Sequence, residues 1–428
     1  MFNLPSLKRW VWTFGLLCSV VCPLTAQELP DPATLIAEVL QTHPSISKAQ
    51  HNLEAAQATS DGSRAQPNPT LTLAATAGDA GENSNALTQN LEISGQPRLR
   101  HEQAEARVEA ARMLLRLARR QVASDVYRAW LELWEKQHLA LMARVRVDLM
   151  AEMVRVTRRR YEVGEIPQNE SLRVDLAATE ADASLALAVA EYETAAASLK
   201  LLRGQSPDLE PAPLPVLDPK ELLATLNGPG LVNQDAADTL EEALAAAEDQ
   251  LELEALRQEQ KALLLTAELT GKERAPQLGL SVYQSRFFGN SIDQGAQISL
   301  SWPIFDWGSI RSKKKAQLSQ AKAQLAEVEE KALAIRQQVA QLWNQWQAAQ
   351  NVRDLLTTQA ARYEELARES RIGYDLGMLT LTDVLQTETA FRAAGVDLIQ
   401  AQARIRRLEL DLLEQTNFPW PQALLEEQ

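Results

Sequence analysis

The spacing of apolar positions along this chain switches from helical to alternating and back to helical, and then repeats the same switches. From about residue 33 to 66, Leu35, Val39, Leu40, Ile46 and Leu53 recur at helical intervals, which predicts an amphipathic helix. His43-Pro44 interrupts it, because proline has no amide hydrogen and clashes with the preceding turn. Pro67-Asn68-Pro69 ends it, since the residue before a proline is pushed toward extended backbone. Thr70 to Ala77 then alternates polar and apolar, Gly78 to Asn83 reads as a turn, and Ala86 to Ile93 as a second strand. From Pro97 to Tyr161 there is no internal proline or glycine; about 64 residues at helical rise give a rod roughly 95 Å long.

The second half follows the same order. Gln277 to Tyr283 alternates, Gly289-Asn290 marks a turn, and Ala296 to Trp302 alternates again. In that last strand Ala296, Ile298, Leu300 and Trp302 share one face, while Gln297, Ser299 and Ser301 share the other. An uninterrupted helical run from Gly308 to Arg371 comes next. Each long run ends in a similar turn, Tyr161-Glu162-Val163-Gly164-Glu165-Ile166-Pro167 and Tyr374-Asp375-Leu376-Gly377-Met378-Leu379, about 213 residues apart. Trp130 and Trp343 share that offset, as do Glu170 and Asp383. Return helices over roughly 168–203 and 380–416 are expected to run back beside the long ones. A period of this length is too long for a solenoid and marks a duplicated half. The expected division is a first repeat over 27–203, a proline-rich connector over 204–240, a second repeat over 241–416 and a tail over 417–428.

Composition supports long helices. The 428 residues are 45% apolar and only 5% aromatic, and Ala, Leu, Gln, Glu and Arg dominate, as in coiled coils. A net charge of −14 argues against a nucleic-acid partner, whose phosphates need clustered Lys and Arg. Lys8 and Arg9 precede an apolar run from Trp10 to Leu24 and then Thr25-Ala26-Gln27. That layout predicts an export signal over 1–26. Both cysteines, Cys18 and Cys22, fall inside it, and the triplets before them fit a lipidation signal poorly. The mature chain is then expected to have neither disulfide nor thiol chemistry.

The four alternating segments approach the length of strands that cross a bilayer, about 9–11 residues. The other reading is a pair of ordinary hairpins capping a helical bundle in water. Four open strands cannot sit in lipid with unpaired edges, so the membrane reading requires several protomers to close one barrel.

Taken in order, Asn68-Pro69 before the first strand, Pro303-Ile304-Phe305-Asp306-Trp307-Gly308 after the fourth, the duplication and the two turns resemble the TolC-like outer-membrane efflux channel family, the outer membrane factors. The stretch Gln89 to Arg100 is similar to the branch that serves heavy-metal pumps, and departs from it at Gly95-Gln96-Pro97-Arg98. The resemblance implies a mainly α chain with a small β part. Its duplicated helical hairpins would build a periplasmic α-barrel, and four strands per protomer would contribute to a trimeric twelve-stranded transmembrane β-barrel. It implies no catalytic residues and no cofactor. It implies as partners a homotrimer, a periplasmic adaptor, an inner-membrane pump of the resistance-nodulation-division type and outer-membrane lipid, in a Gram-negative outer membrane with a long periplasmic extension.

The resemblance also assigns residues. Val163, Gly164, Glu165 and Ile166, with Leu376, Gly377, Met378 and Leu379, match the tips that meet the adaptor; a plain helix C-cap is the other reading of both glycines. Asp383 matches an acidic constriction position, Glu170 is its counterpart in the first half, and a second acidic position is Gln386 here. The alternative for both acids is a favourable place in the first turn of a helix. His43, His51, His101 and His138 lack ligand spacing, so no metal site is expected. Trp130, Trp134, Trp343 and Trp346 are expected between helices, and Trp302 and Trp307 either at a membrane interface or in a core. Two other readings stay open: drug efflux or type I secretion through the same fold, and a soluble periplasmic coiled-coil scaffold.

Overall fold

A computed structural model describes residues 31–75, 83–206, 239–287 and 291–416. The expected export signal, most of both hairpin turns, nearly all of the connector and the tail lie outside the described residues. The described chain runs in two matching halves. The first holds α1 (Pro32–Thr42), α2 (Pro44–Gly62), β1 (Thr70–Ala75), β2 (Asn83–Glu92), α3 (Gln96–Glu162) and α4 (Gln168–Leu202). The second holds α5 (Leu240–Glu248), α6 (Leu251–Gly271), β3 (Gln277–Phe287), β4 (Ser291–Ser301), α7 (Ser309–Asp375) and α8 (Leu381–Gln415). The duplication is strict in the long helices: α3 and α7 each have 67 residues, α4 and α8 each have 35, and all four pairs of ends are 213 residues apart.

Local chemistry sets the boundaries. The Asp31 carboxylate accepts from the Thr34 amide at 3.3 Å, and Pro32 occupies the first turn of α1, the place where its missing N–H costs nothing. Pro44 breaks the helix as expected: His43 is extended (φ −72°, ψ 128°), and its ring caps α2 by accepting from the Ser45 amide at 3.3 Å. Helix α2 stops at Gly62, four residues short of the expected end at 66. Both long helices start on a left-handed glycine, Gly95 (φ 85°) and Gly308 (φ 82°). Asp306 caps α7 by accepting from the Gly308 and Ile310 amides at 3.3 and 3.1 Å. Helix α7 runs to Asp375 rather than Arg371, carrying Gly373 in its last turns.

The helices pack as two antiparallel hairpins, α3 with α4 and α7 with α8, with α8 also lying on α3 and α6 seated between α3 and α7. At 67 residues each long helix is about 100 Å long, so its stripe has to be covered along its whole length. The largest core joins α1, α3, α4 and α8 through Ile36, Val126, Tyr127, Leu131, Tyr192 and Ile399. Trp130, Trp134 and Trp343 are buried and Trp346 is partly so, between helices as expected. At Gly395 a Cβ would collide with the Met142 methyl, so α8 meets α3 there at close range. Arg128 bridges the hairpins further, to Asp411 at 2.6 Å and Glu414 at 2.7 Å.

The strands form one antiparallel sheet in the order β1-β2-β3-β4, leaving β1 and β4 as edges. Register places Leu71, Leu87, Val282 and Ala296 in one row, then Gln89, Leu280 and Ile298, then Leu91, Leu278 and Leu300. These residues share a face, because side chains alternate along a strand. That face is bare in the single chain, with Leu71 62% and Ile298 74% exposed. The other face carries Thr70, Thr88, Ser281 and Gln297, then Asn90, Gly279 and Ser299. Strands β3 and β4 extend beyond the expected segments, to Phe287 and back from Ser291. In the added part Asn85, Gln284 and Gln294 form a polar row on the otherwise apolar face, so the alternation that reveals a strand is lost there.

Candidate functional site

The chain's distinctive chemistry lies at the helical tips and on the sheet. Gly164 (φ 78°) and Gly377 (φ 72°) close α3 and α7 in the left-handed region, which costs a residue with a Cβ about 1–2 kcal/mol. Their turns are built alike. Glu165 N–H donates to the Arg160 carbonyl at 2.9 Å and Gly164 N–H to the Tyr161 carbonyl at 3.0 Å. Met378 N–H donates to the Gly373 carbonyl at 2.8 Å and Gly377 N–H to the Tyr374 carbonyl at 3.0 Å. This is the paired closure that satisfies the last carbonyls of a helix, so the C-cap reading of both glycines holds. Around them Val163, Leu376 and Met378 are 67%, 65% and 76% exposed. Glu165 is exposed and accepts from Arg160 at 3.2 Å, Ile166 is half-buried, and Leu379 folds back over Gly373.

Both tips lie at one end of the molecule. Met150, Met153 and Val174 of the first hairpin share a core with Tyr374, Leu381 and Val384 of the second. The Arg160 guanidinium sits 4.9 Å from the centre of the Tyr374 ring, and Arg173 donates to the Thr382 hydroxyl at 3.2 Å. Arg371 pairs with Glu388 at 2.7 Å; burial pushes the Glu388 carboxyl up while Arg371 opposes the shift. None of these contacts was foreseen. The Arg371–Glu388 pair repeats at the same offset as Arg158 with Asp175 at 3.6 Å, a signal the duplication could have supplied, whereas Arg160 stands opposite Gly373 in the repeat and nothing in a single sequence links it to Tyr374.

The acidic candidates differ from each other. Asp383 is the third residue of α8 and makes a capping box with Thr380: its carboxylate accepts from the Thr380 amide at 3.0 Å and hydroxyl at 2.7 Å, and the Asp383 amide donates to Thr380 Oγ1 at 3.3 Å. The Thr380 hydroxyl and amide hold this carboxyl below the usual aspartate range. Glu170 stands in the first turn of α4, whose cap is Pro167, and is half-buried without such a clasp. Gln386 is exposed, three residues beyond Asp383.

At the other end of the long helices, the segment leaving β4 exposes Trp302 (62%), Phe305 (82%) and Trp307 (98%), so neither tryptophan belongs to the core of the single chain. Trp302 is anchored by its indole N–H to the Arg274 carbonyl at 3.0 Å. Among the described residues no helix is long and apolar enough to cross a membrane, and no three metal-binding side chains gather. The histidines serve locally, His101 with Glu105 at 2.9 Å and His138 against the Trp134 carbonyl at 2.7 Å.

Three comparisons bear on this architecture. The profile of the family described as "Outer membrane efflux protein" matches residues 35–205 and 240–416. The outer membrane efflux protein BepC of Brucella suis biovar 1 (strain 1330) is 26% identical over 312 residues, covering 70% of this chain and 64% of that protein. The chain thus spans somewhat less than two thirds of that relative. Among solved structures, the outer-membrane channel OprN superposes with a TM-score of 0.73 at 19% identity, over 92% of this chain and 91% of that one. The open state of the MtrE outer membrane channel of Neisseria gonorrhoeae gives a TM-score of 0.73 at 17% identity, over 90% of this chain and 88% of that one. At such identities the structures establish the fold, a helical barrel joined to a β-barrel, and the family profile covers both halves of the duplication. The chain belongs to the outer membrane efflux protein family.

Proposed function

We propose that three copies of this chain close a single barrel in the outer membrane and form the passive exit duct of a tripartite efflux system. The observation that carries this is the sheet: an apolar face left bare, and two edges, β1 and β4, with no partner among the described residues. In lipid an unpaired strand edge costs several kcal/mol per polar group. Joining β4 of one copy to β1 of the next removes every edge, and three copies supply twelve strands around a polar lumen. The exposed Trp302, Phe305 and Trp307 stand where the barrel meets the helices, which suits the interfacial preference of aromatic rings. The helical hairpins then extend into the periplasm.

In this reading Val163, Gly164, Glu165 and Ile166, with Leu376, Gly377, Met378 and Leu379, dock a periplasmic adaptor. Their exposed apolar side chains on rigid C-capped turns support that role. An inner-membrane pump of the resistance-nodulation-division type supplies the energy. Glu170 and Asp383, with Gln386 beside them, line a constriction near the tips. Carboxylates at a narrow point favour cations, and with the sequence branch this supports heavy-metal cations as cargo. The detergent-corrected mass of protein extracted from outer membranes is the test. Three mature chains support the duct; a monomer, or protein found only in the soluble periplasm, overturns it in favour of the scaffold. Loss of metal resistance on deleting the gene, with drug tolerance unchanged, would support the cargo assignment, and the converse would overturn it.

A further inference from the structure

Two glycines on the polar face of the β3–β4 pair sit opposite side chains that fold over them. Gly279 is in register with Ser299 and Gly295 with Tyr283. A Cβ built on Gly279 would overlap the Ser299 hydroxyl. A Cβ on Gly295 would lie 2.9 Å from the Tyr283 hydroxyl oxygen, 3.1 Å from Cζ and 3.2 Å from Cε1. The phenol therefore lies flat across β4, in the space a side chain at residue 295 would fill. Neither glycine has the positive φ that only glycine tolerates well, so turn geometry does not explain them. A strand glycine marks close approach of another group, and here that group is the ring. The rest of the row, Thr72 and Ala86, is small.

We infer that Gly295 sets the bore of the barrel by giving Tyr283 a place to lie against the wall, which makes the pair a size-determining position for cargo. This rests on the trimeric duct reading, in which the polar face lines the lumen. Three tyrosines standing off the wall at one level would form an aromatic ring across the lumen, and pore diameter is a main determinant of what passes. Held down on glycine, they leave a smooth wall of hydroxyl and amide groups through which bulky cargo slides. The same device recurs two rows deeper, beyond the Ser281–Gln297 pair, where Ser299 covers Gly279.

The test uses full-length protein in intact cells, with Cys18 and Cys22 changed to alanine and Ser301→Cys placed on the polar face deeper than Tyr283. Polymer-tethered maleimides of increasing size, too large for general porins, are added outside, and the largest that still labels Ser301→Cys defines the cutoff. Gly295→Val is expected to lower the cutoff, and Gly295→Ala to lower it less. Adding Tyr283→Ala to Gly295→Val is expected to restore it. Tyr283→Ala alone is expected to leave it unchanged, since a ring already flat on the wall occupies little of the bore. An unchanged cutoff in Gly295→Val, no rescue by Tyr283→Ala, or a raised cutoff in Tyr283→Ala alone would each overturn the inference. Trimer mass is measured on every variant first. A parent that is not trimeric overturns the duct reading instead, and a Gly295→Val that fails to assemble leaves the decision to Gly295→Ala.

Discussion

On the duct proposal, the contact between Arg160 and Tyr374 offers the sharpest test of what holds the two hairpins of a protomer together at the tips. It ties the end of α3 to the end of α7, 4.9 Å from guanidinium to ring centre, and any motion that parts the hairpins must break it. A cation over an aromatic face is worth about 1 kcal/mol where partly desolvated, and Tyr374 is only 8% exposed. With three copies in the proposed trimer, removing the rings shifts the closed-to-open balance by about 3 kcal/mol, or roughly 100-fold. Tyr374→Leu is therefore expected to raise the open fraction strongly in planar-bilayer recordings. Tyr374→Phe separates the ring from the hydroxyl. That hydroxyl is buried with no hydrogen-bond partner, so its removal relieves an unsatisfied group and should leave the closed state intact or firmer. If Tyr374→Phe opens the channel as Tyr374→Leu does, the contact is not what holds the tips. Leucine behaving like the parent protein would refute the reasoning equally.

Four further outcomes follow from the packing, the caps and the buried groups. Ile399 is fully buried in the core that joins α8 to α3 and α4, so Ile399→Ala should cost about 2–5 kcal/mol, read as a lowered midpoint in thermal denaturation. At the tips, Thr380→Ala removes the cap of α8 but no charge; it should cost about 0.5–2 kcal/mol and leave ion selectivity alone. Asp383→Asn combined with Glu170→Gln should instead reduce cation preference in bilayers, and unchanged selectivity would remove both acids from the constriction. Burial lowers the His138 pKa from 6.5, so the unfolded chain takes up the proton first. Its contribution to stability is present above about pH 6.5 and is lost as pH falls from there toward the folded value. His138→Asn, which can still donate to the Trp134 carbonyl, should flatten the fall in melting temperature between pH 7 and 5 (a window set by the usual histidine pKa).

The helical frame was legible because its signals are local. Proline-free and glycine-free runs, Gly164 and Gly377 past the last turns, and Pro44 at a break each act within a few residues of the boundary they set. The duplication amplified those signals, since two independent stretches gave the same reading 213 residues apart. The strands were legible only where one face is apolar and the other polar. From Gln284 outward in β3, and before Ala296 in β4, both faces are largely polar, and the ladder continues on backbone hydrogen bonds that leave no trace in the pattern of side chains.

The tip shows the same limit from another side. Asp383 was recognised as an acid beside a turn, and two roles stood open for it, lining a constriction or standing in the first turn of a helix against its dipole. The structure places it in that first turn and adds a capping box with Thr380, and this is physically compatible with a constriction. A capped carboxylate is held ionised at lower pH than a free one, because the bonds it accepts favour the charged form. A constriction built from such groups keeps its negative charge even where the surroundings turn acidic. Cation preference in bilayers should therefore survive acidification better in the parent than in Asp383→Asn, and an equal loss in both would take Asp383 out of the proposed constriction.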